Sequence, residues 1–306
     1  MEVLEFFQDI RNPILTASAR LFSYAASEII VIAVVCTLIW CIDKKLGYRI
    51  VFGFYFSAIC VWTIKIICRV PRPWVRSKKI KPVKAALSDA TGYSFPSGHT
   101  QSASAFYGTI AYIVKKNYIK IILIAIIMGV AWSRMYLGVH TPLDVSMGFL
   151  ISIVVVYAFN DWLDRGLFYK FKLEALLFAL LFISMCLTAF GVICVKTNYI
   201  DVPNATDFFK MVGISYGLSI GWYLDKKYLD FRTDNKGVSE KMIILGVGII
   251  LLLIIKSGIK KAFGETLLID TIRYFVVMIV ATYIYPLIFE NIHNKYLKKN
   301  TDMIKS

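Results

Sequence analysis

Apolar residues fall along this chain in blocks of about twenty, the length a helix needs to cross roughly 30 Å of hydrocarbon, and short polar connections separate them. The blocks predict spanning helices at about 24–42, 50–68, 98–114, 118–137, 143–161, 173–195, 207–224, 242–259 and 267–289, nine in all. The third is the most polar. Its sequence, HTQSASAFYGTIAYIV, opens on polar and small residues, which suit a helix packed inside a bundle better than one facing lipid. Ahead of the first block, MEVLEFFQDIRNPILTASARLF interleaves acidic and basic residues with aromatics. That pattern predicts an amphipathic helix in the membrane interface over 1–23, and it lacks the basic start and clean apolar run of a cleavable signal peptide. The predicted architecture is therefore all-α: a polytopic transmembrane helical bundle of about nine spans with an N-terminal interfacial helix.

Composition agrees. The chain is 58% hydrophobic and only 18% charged, with a mean hydropathy of +0.65, whereas a soluble domain is nearer 45–50% apolar and 25% charged. A net charge of +15 would point to nucleic acid in a soluble protein. Here most Lys and Arg sit in short connections between apolar blocks, so the bilayer is the predicted partner and nucleic acid is not. The six cysteines, Cys36, Cys41, Cys60, Cys68, Cys186 and Cys194, lie in or at the ends of apolar segments and show neither metal-ligand nor disulfide-framework spacing, so they are expected to be packing residues.

With nine spans the termini face opposite sides. An outside N-terminus leaves eighteen cations on inside segments: Lys44, Lys45 and Arg49; Lys115, Lys116 and Lys120; Arg165, Lys170 and Lys172; Lys226, Lys227, Arg232, Lys236 and Lys241; and Lys295, Lys298, Lys299 and Lys305. The positive-inside rule then predicts a cytoplasmic C-terminus. The longest connection, 69–97, is proline-rich and strongly basic yet falls outside, so its charge needs another reason. The stretch SRMYLGVHTPLD at 133–144 falls on the same face.

Three clusters gather there. Lys65 precedes Arg72-Pro73 with six residues between. Lys65 could snorkel from the last turn of its helix, and Arg134 could be a boundary arginine. Together, three cations on one face at membrane depth would instead form a site for a compact polyanion, with phosphate the natural guest of the arginine fork and the lysine point charge. Pro96-Ser97-Gly98-His99 adds an N-cap serine and a glycine that lets backbone N–H groups approach an anion, although an ordinary capping turn would read the same. Of only three histidines, His99 and His140 lie in these clusters, while His293 lies in the polar tail. No further His, Cys or Glu with ligand spacing accompanies them, so no metal is expected. Asp144 follows His140 by four residues. With Thr141 as N-cap and Pro142 at N1, Asp144 falls at N3, where it could cap the helix, pair with the imidazole, or do both.

Taken together, Lys65–Arg72-Pro73, Pro96-Ser97-Gly98-His99 and Ser133-Arg134…His140…Asp144 resemble the K-x6-RP, PSGH and SR-x5-H-x3-D signature of the type 2 phosphatidic acid phosphatase superfamily, over residues of about 50–160. The resemblance sets a catalytic core over 24–164 with five spans and says little about the last four spans, which with the cytoplasmic tail make up an extension over 165–306. It further implies an integral membrane phosphatase. Lys65, Arg72, Ser97, Gly98 and Arg134 would bind phosphate, His140 would be the nucleophile, His99 would protonate the leaving alcohol and then activate water, and Asp144 would orient His140. Such chemistry rests on positioning and charge, so no cofactor is expected. The implied substrate is a phosphomonoester or pyrophosphate of a membrane lipid: phosphatidic acid, a lysolipid or sphingoid phosphate, phosphatidylglycerol phosphate or a polyprenyl pyrophosphate. The nine-span layout is also similar to glucose-6-phosphatase, which would make the substrate a soluble ester. An anion transporter is a third reading, but it would need neither the two histidines nor the aspartate at this spacing. The implied place is the cell membrane, with the site on the extracytoplasmic face.

Overall fold

A computed structural model describes residues 1–234 and 236–305, with side chains throughout except at Tyr169 and residues 296–305. The side chains of Lys298, Lys299 and Lys305 in the predicted tail thus lie outside the described residues. The chain is helical, with no strand among the described residues. Its helices are α1 (Glu2–Asp9), α2 (Pro13–Ala25), α3 (Glu28–Thr37), α4 (Lys44–Cys68), α5 (Pro73–Arg76), α6 (Gly98–Ile113), α7 (Asn117–Tyr136), α8 (Pro142–Asp164), α9 (Leu173–Lys196), α10 (Val202–Leu224), α11 (Val238–Phe263), α12 (Leu267–Ile279) and α13 (Tyr285–Lys305).

Six of the nine predicted spans are helices long and apolar enough to cross a bilayer, among the described residues. The first, third and seventh differ, each for a physical reason. The first is split: α2 and α3 meet at a 46° bend, and counting the bent pair as one span raises the total to seven. The third, α6, has 16 residues, about 24 Å of helix, which is short of the hydrocarbon thickness. The seventh, α10, is 23 residues long, but Asn204, Thr206, Asp207, Lys210 and its glycines and serines dilute its apolar content. Over 1–23, where one interfacial helix was predicted, α1 and α2 are separate, and Asn12 caps α2 by accepting from the Leu15 N–H at 2.9 Å.

The chain divides into two compact units. The first comprises Met1–Val35, Tyr48–Lys170 and Gly191–Phe208; the second comprises Cys36–Gly47, Phe171–Phe190 and Phe209–Ser306. In the first, α6 packs between α7 and α8, and α2 lies along α7. The polar residues of α6 turn inward: Gln101 donates to Ser57 Oγ of α4 at 3.2 Å, and Ser57 donates to Ser152 Oγ of α8 at 2.9 Å. These bonds satisfy groups that lipid could not. In the second unit Gly213, Gly217 and Gly221 of α10 recur every four residues against the α12 region, so close that a Cβ at Gly217 would stand 2.6 Å from Phe275 O. Lys44 pairs with Asp225 at 3.1 Å and Asp230 at 3.0 Å there, and the buried Arg273 pairs with Asp270. All six cysteines are free thiols; Cys68 and Cys186 are exposed.

Candidate active site

The site assembles at one end of the first unit. Lys65 sits in the last turn of α4 and does not snorkel. It is 2% exposed, and Nζ donates to Tyr93 O and Pro96 O, both at 2.8 Å. Those carbonyls belong to the loop leading into the PSGH turn, so the lysine ties α4 to that loop. Arg72 lies just before α5, where Pro73 takes the first helical position. Its Nε donates to Gly92 O at 3.0 Å and its Nη1 to Val139 O at 3.1 Å, and Nη2 reaches Thr91 O.

Ser97 caps α6, accepting from the Thr100 N–H and more closely from Thr100 Oγ1 at 3.0 Å. Gly98 begins the helix and His99 follows, half-buried. Lys65 donates to the Pro96 carbonyl at 2.8 Å and the Ser97 N–H donates to the Asp144 carbonyl at 2.9 Å, so the PSGH turn and the other two clusters share one neighbourhood.

Helix α7 ends in a tight reversal. Val139 and His140 both donate N–H to Arg134 O, at 3.2 and 3.3 Å, and Gly138 takes φ +76°, the left-handed region glycine enters without strain. The reversal turns His140 back toward Arg72 just before Thr141 and Pro142 open α8. There the capping box expected from the sequence is formed: Asp144 Oδ2 accepts from the Thr141 N–H at 2.7 Å, and Thr141 Oγ1 accepts from the Asp144 N–H at 3.3 Å.

Arg72 Nη1 and His140 Nε2 are 2.9 Å apart. A guanidinium only donates, so Nε2 is the acceptor, and the proton of the neutral ring is assigned to Nδ1, on the side of Asp144. Burial, and then the charge of Arg72, hold His140 well below the usual histidine range, although Asp144 acts the other way. A neutral ring with a bare Nε2 follows. The Nδ1–Oδ2 separation is 3.6 Å, an electrostatic contact and not a hydrogen bond. Oδ2 makes its short bonds to Thr141 and to Ser94 Oγ, the latter at 2.6 Å.

Arg134 is fully buried. Its Nη1 donates to Ser23 Oγ of α2 at 2.6 Å, while Nε and Nη2 have no hydrogen-bond partner. Two buried guanidinium donors left unmet cost free energy, and a planar fork of this kind matches two oxygens of a phosphate. All eight residues singled out from the sequence thus lie in one neighbourhood. Among the described residues no three His, Cys, Asp or Glu side chains group as metal ligands.

Three residues of this neighbourhood were not predicted. Ser94 holds Asp144, Ser23 holds Arg134, and Gly148 of α8 makes room for the PSGH turn, since a Cβ there would stand 2.6 Å from Ser97 O. That approach lets the Ser97 N–H donate to Asp144 O at 2.9 Å. Ser94 lay three residues before Ser97 in a stretch already of interest; Ser23 and Gly148 carry no local signal.

The chain matches the family model described as PAP2 superfamily over residues 46–168, and that described as PAP2 superfamily phosphatase, transmembrane extension over residues 209–296. It belongs to the PAP2 superfamily. The first match contains all eight candidate site residues. The chain is 32% identical to phosphatidylglycerophosphatase B of Bacillus subtilis over 106 residues, covering 31% of this chain and 50% of that protein. It is 29% identical to undecaprenyl-diphosphatase of Sulfolobus acidocaldarius, covering 36% and 51%. To sphingosine-1-phosphate phosphatase 1 of Rattus norvegicus it is 28% identical, covering 41% and 30%. The chain therefore spans about half the length of the first two PAP2 relatives and less of the third.

Proposed function

We propose that this protein is a membrane phosphatase that takes the phosphoryl group of a lipid phosphate onto His140 and passes it to water without a metal ion. The observation that carries the reading is the pairing of a bare His140 Nε2, 2.9 Å from Arg72, with two unmet donors on buried Arg134. The Nε2 lone pair accepts from Arg72, and a phosphate that takes up the Arg72 donor frees that lone pair for attack. Lys65, Arg72 and Arg134 neutralise the equatorial oxygens, and the Ser97 hydroxyl and the Gly98 N–H add donors at the start of α6. Nε2 forms the bond to phosphorus as the ester oxygen leaves, and His99 protonates that oxygen. Water then attacks the phosphohistidine with its proton passing to His99, which releases phosphate and restores both rings. Asp144 supports the positive charge His140 gains. A phosphate on a lipid is common to the names of the three relatives, which supports a lipid substrate.

Phosphate release from a panel of phosphatidic acid, phosphatidylglycerol phosphate, sphingoid phosphate, polyprenyl pyrophosphate and glucose 6-phosphate, in detergent with EDTA, tests this. Turnover of one or more lipids, unchanged by EDTA, is expected. Loss of activity in EDTA with recovery in magnesium overturns the metal-free mechanism, and a preference for glucose 6-phosphate overturns the lipid substrate.

The same reading sets the site on the extracytoplasmic face of the cell membrane and the C-terminus in the cytoplasm, supported by the basic connections on the opposite side. In a background lacking the six cysteines, Ser88→Cys is expected to react with an impermeant maleimide in intact cells, and Lys172→Cys only after lysis. The reverse pattern inverts the topology.

A further inference from the structure

From the last residue of α5 onward the chain carries Arg76, Lys78, Lys79, Lys81 and Lys84, five cations within nine residues. All five are exposed. Among the described residues none of them is in an ion pair. None belongs to the signature residues or touches the site described above.

The backbone that bears them is nonetheless fixed. Gln8 of α1 donates to Lys79 O at 3.3 Å and accepts from the Lys81 N–H at 2.7 Å, and Arg11 Nη1 donates to Lys81 O. The Val83 N–H donates to Leu137 O at 3.0 Å, within the reversal that turns His140 toward Arg72. Ile80 is buried beneath, at 3% exposure. Held from below on two sides, the segment turns its cationic ends outward at the end of the bundle that bears the site. Crowding like charges on a fixed backbone is unfavourable unless something of opposite sign meets them. Val75 and Leu87, 67% and 41% exposed, flank the cations. A bilayer surface accepts such flanking apolar groups, and a nucleic-acid backbone does not. The segment follows directly on the membrane-spanning stretch that contains α4.

We propose that residues 75–87 are a preformed cationic platform that docks anionic phospholipid headgroups of the leaflet at the mouth of the site. The platform holds an anionic lipid substrate beside Arg72 and Arg134. Each cation near an anionic surface strengthens that contact by roughly fivefold, and the contact is screened by salt. This role in substrate capture rests on the lipid-phosphate reading above, whereas the docking itself does not.

The test uses the full chain carrying His140→Ala, so that nothing is turned over, in nanodiscs of phosphatidylcholine with a minority of phosphatidylglycerol. Lipids retained through detergent extraction are weighed by native mass spectrometry. Enrichment of phosphatidylglycerol over the bulk ratio by about threefold or more is expected, lost at 0.5 M salt. It is expected to fall to the bulk ratio when Arg76, Lys78, Lys79, Lys81 and Lys84 are all changed to Gln, and to survive when the four lysines are changed to Arg. Equal enrichment in the Gln variant, or enrichment indifferent to salt, overturns the platform. With His140 intact, the Gln variant is expected to raise KM for a lipid phosphate in phosphatidylglycerol-containing nanodiscs about fivefold or more at unchanged kcat. Turnover of a short-chain, water-soluble phosphate ester should be unaffected. An equal loss on the short-chain ester overturns the capture role. If the parent turns over neither substrate, the phosphatase reading fails, and lipid retention alone decides the platform.

Discussion

His140→Ala is expected to abolish turnover, by about 10⁴-fold or more, and to leave no phosphoenzyme in rapid-quench experiments with labelled substrate. The size follows from the geometry. Nε2 is the atom at Arg72 Nη1, 2.9 Å away, which puts the nucleophile beside a phosphate-binding guanidinium. Removing the ring removes the bond-forming atom and leaves the binding groups. Lys65 keeps its carbonyl partners, Arg72 keeps Val139, Gly92 and Thr91, and Arg134 keeps Ser23. Inorganic phosphate should therefore bind the variant within a few-fold of the parent. His99→Ala provides the contrast. It should slow departure of a poor leaving group and hydrolysis of the intermediate, so phosphohistidine accumulates with an activated ester. A normal yield of phosphohistidine in His140→Ala would assign the nucleophile elsewhere.

The sequence made the local features of this site legible and the tertiary ones not. Thr141-Pro142-x-Asp144 carries its own capping box within four residues, so the start of α8 could be read directly, and Ser97 announced the start of α6 in the same way. Hydropathy located every long apolar helix but said nothing of bends. The break between α2 and α3 falls at Ala26-Ser27, near the start of the predicted first span, just before Glu28 opens α3. Helix α6 was counted as a span although it is short, and its buried Gln101 is satisfied by Ser57 of α4, a neighbour that no window along the chain can see.

Partners brought together by folding were illegible for the same reason. Ser23 meets Arg134 across 111 residues and Ser94 meets Asp144 across 50. A serine in an apolar helix has no pattern to distinguish it from a packing residue. Gly148 looks like any small residue in a membrane helix until the Ser97 carbonyl is found against it. The charged residues were visible because a cation or a histidine in such a chain is costly wherever it is buried, whereas the uncharged groups that hold them carry no such penalty.

Asp144 separates the two roles left open by its position, and Asp144→Asn is the substitution that divides them. Its Oδ2 accepts from the Thr141 N–H at 2.7 Å and from Ser94 Oγ at 2.6 Å, and an amide oxygen can accept both, so the cap and the fold should survive with a loss of about 1 kcal/mol or less. The carboxylate charge is lost. At 3.6 Å from Nδ1 it supports the positive charge His140 gains by roughly 4–5 kcal/mol at an effective dielectric of 20, on the order of 10³ in rate. Asp144→Asn should therefore melt near the parent temperature and turn over about 10³-fold more slowly. Asp144→Ala should lose the same rate and also about 1–3 kcal/mol of stability, because the Thr141 N–H and Ser94 hydroxyl are left buried without an acceptor. Ser94→Ala removes one bond and no charge, so its rate should stay within about tenfold of the parent. Thermal melts in detergent beside kcat for the three variants decide the matter. If Asp144→Asn turns over at the parent rate while Asp144→Ala is merely unstable, Asp144 is a helix cap alone and His140 works without it.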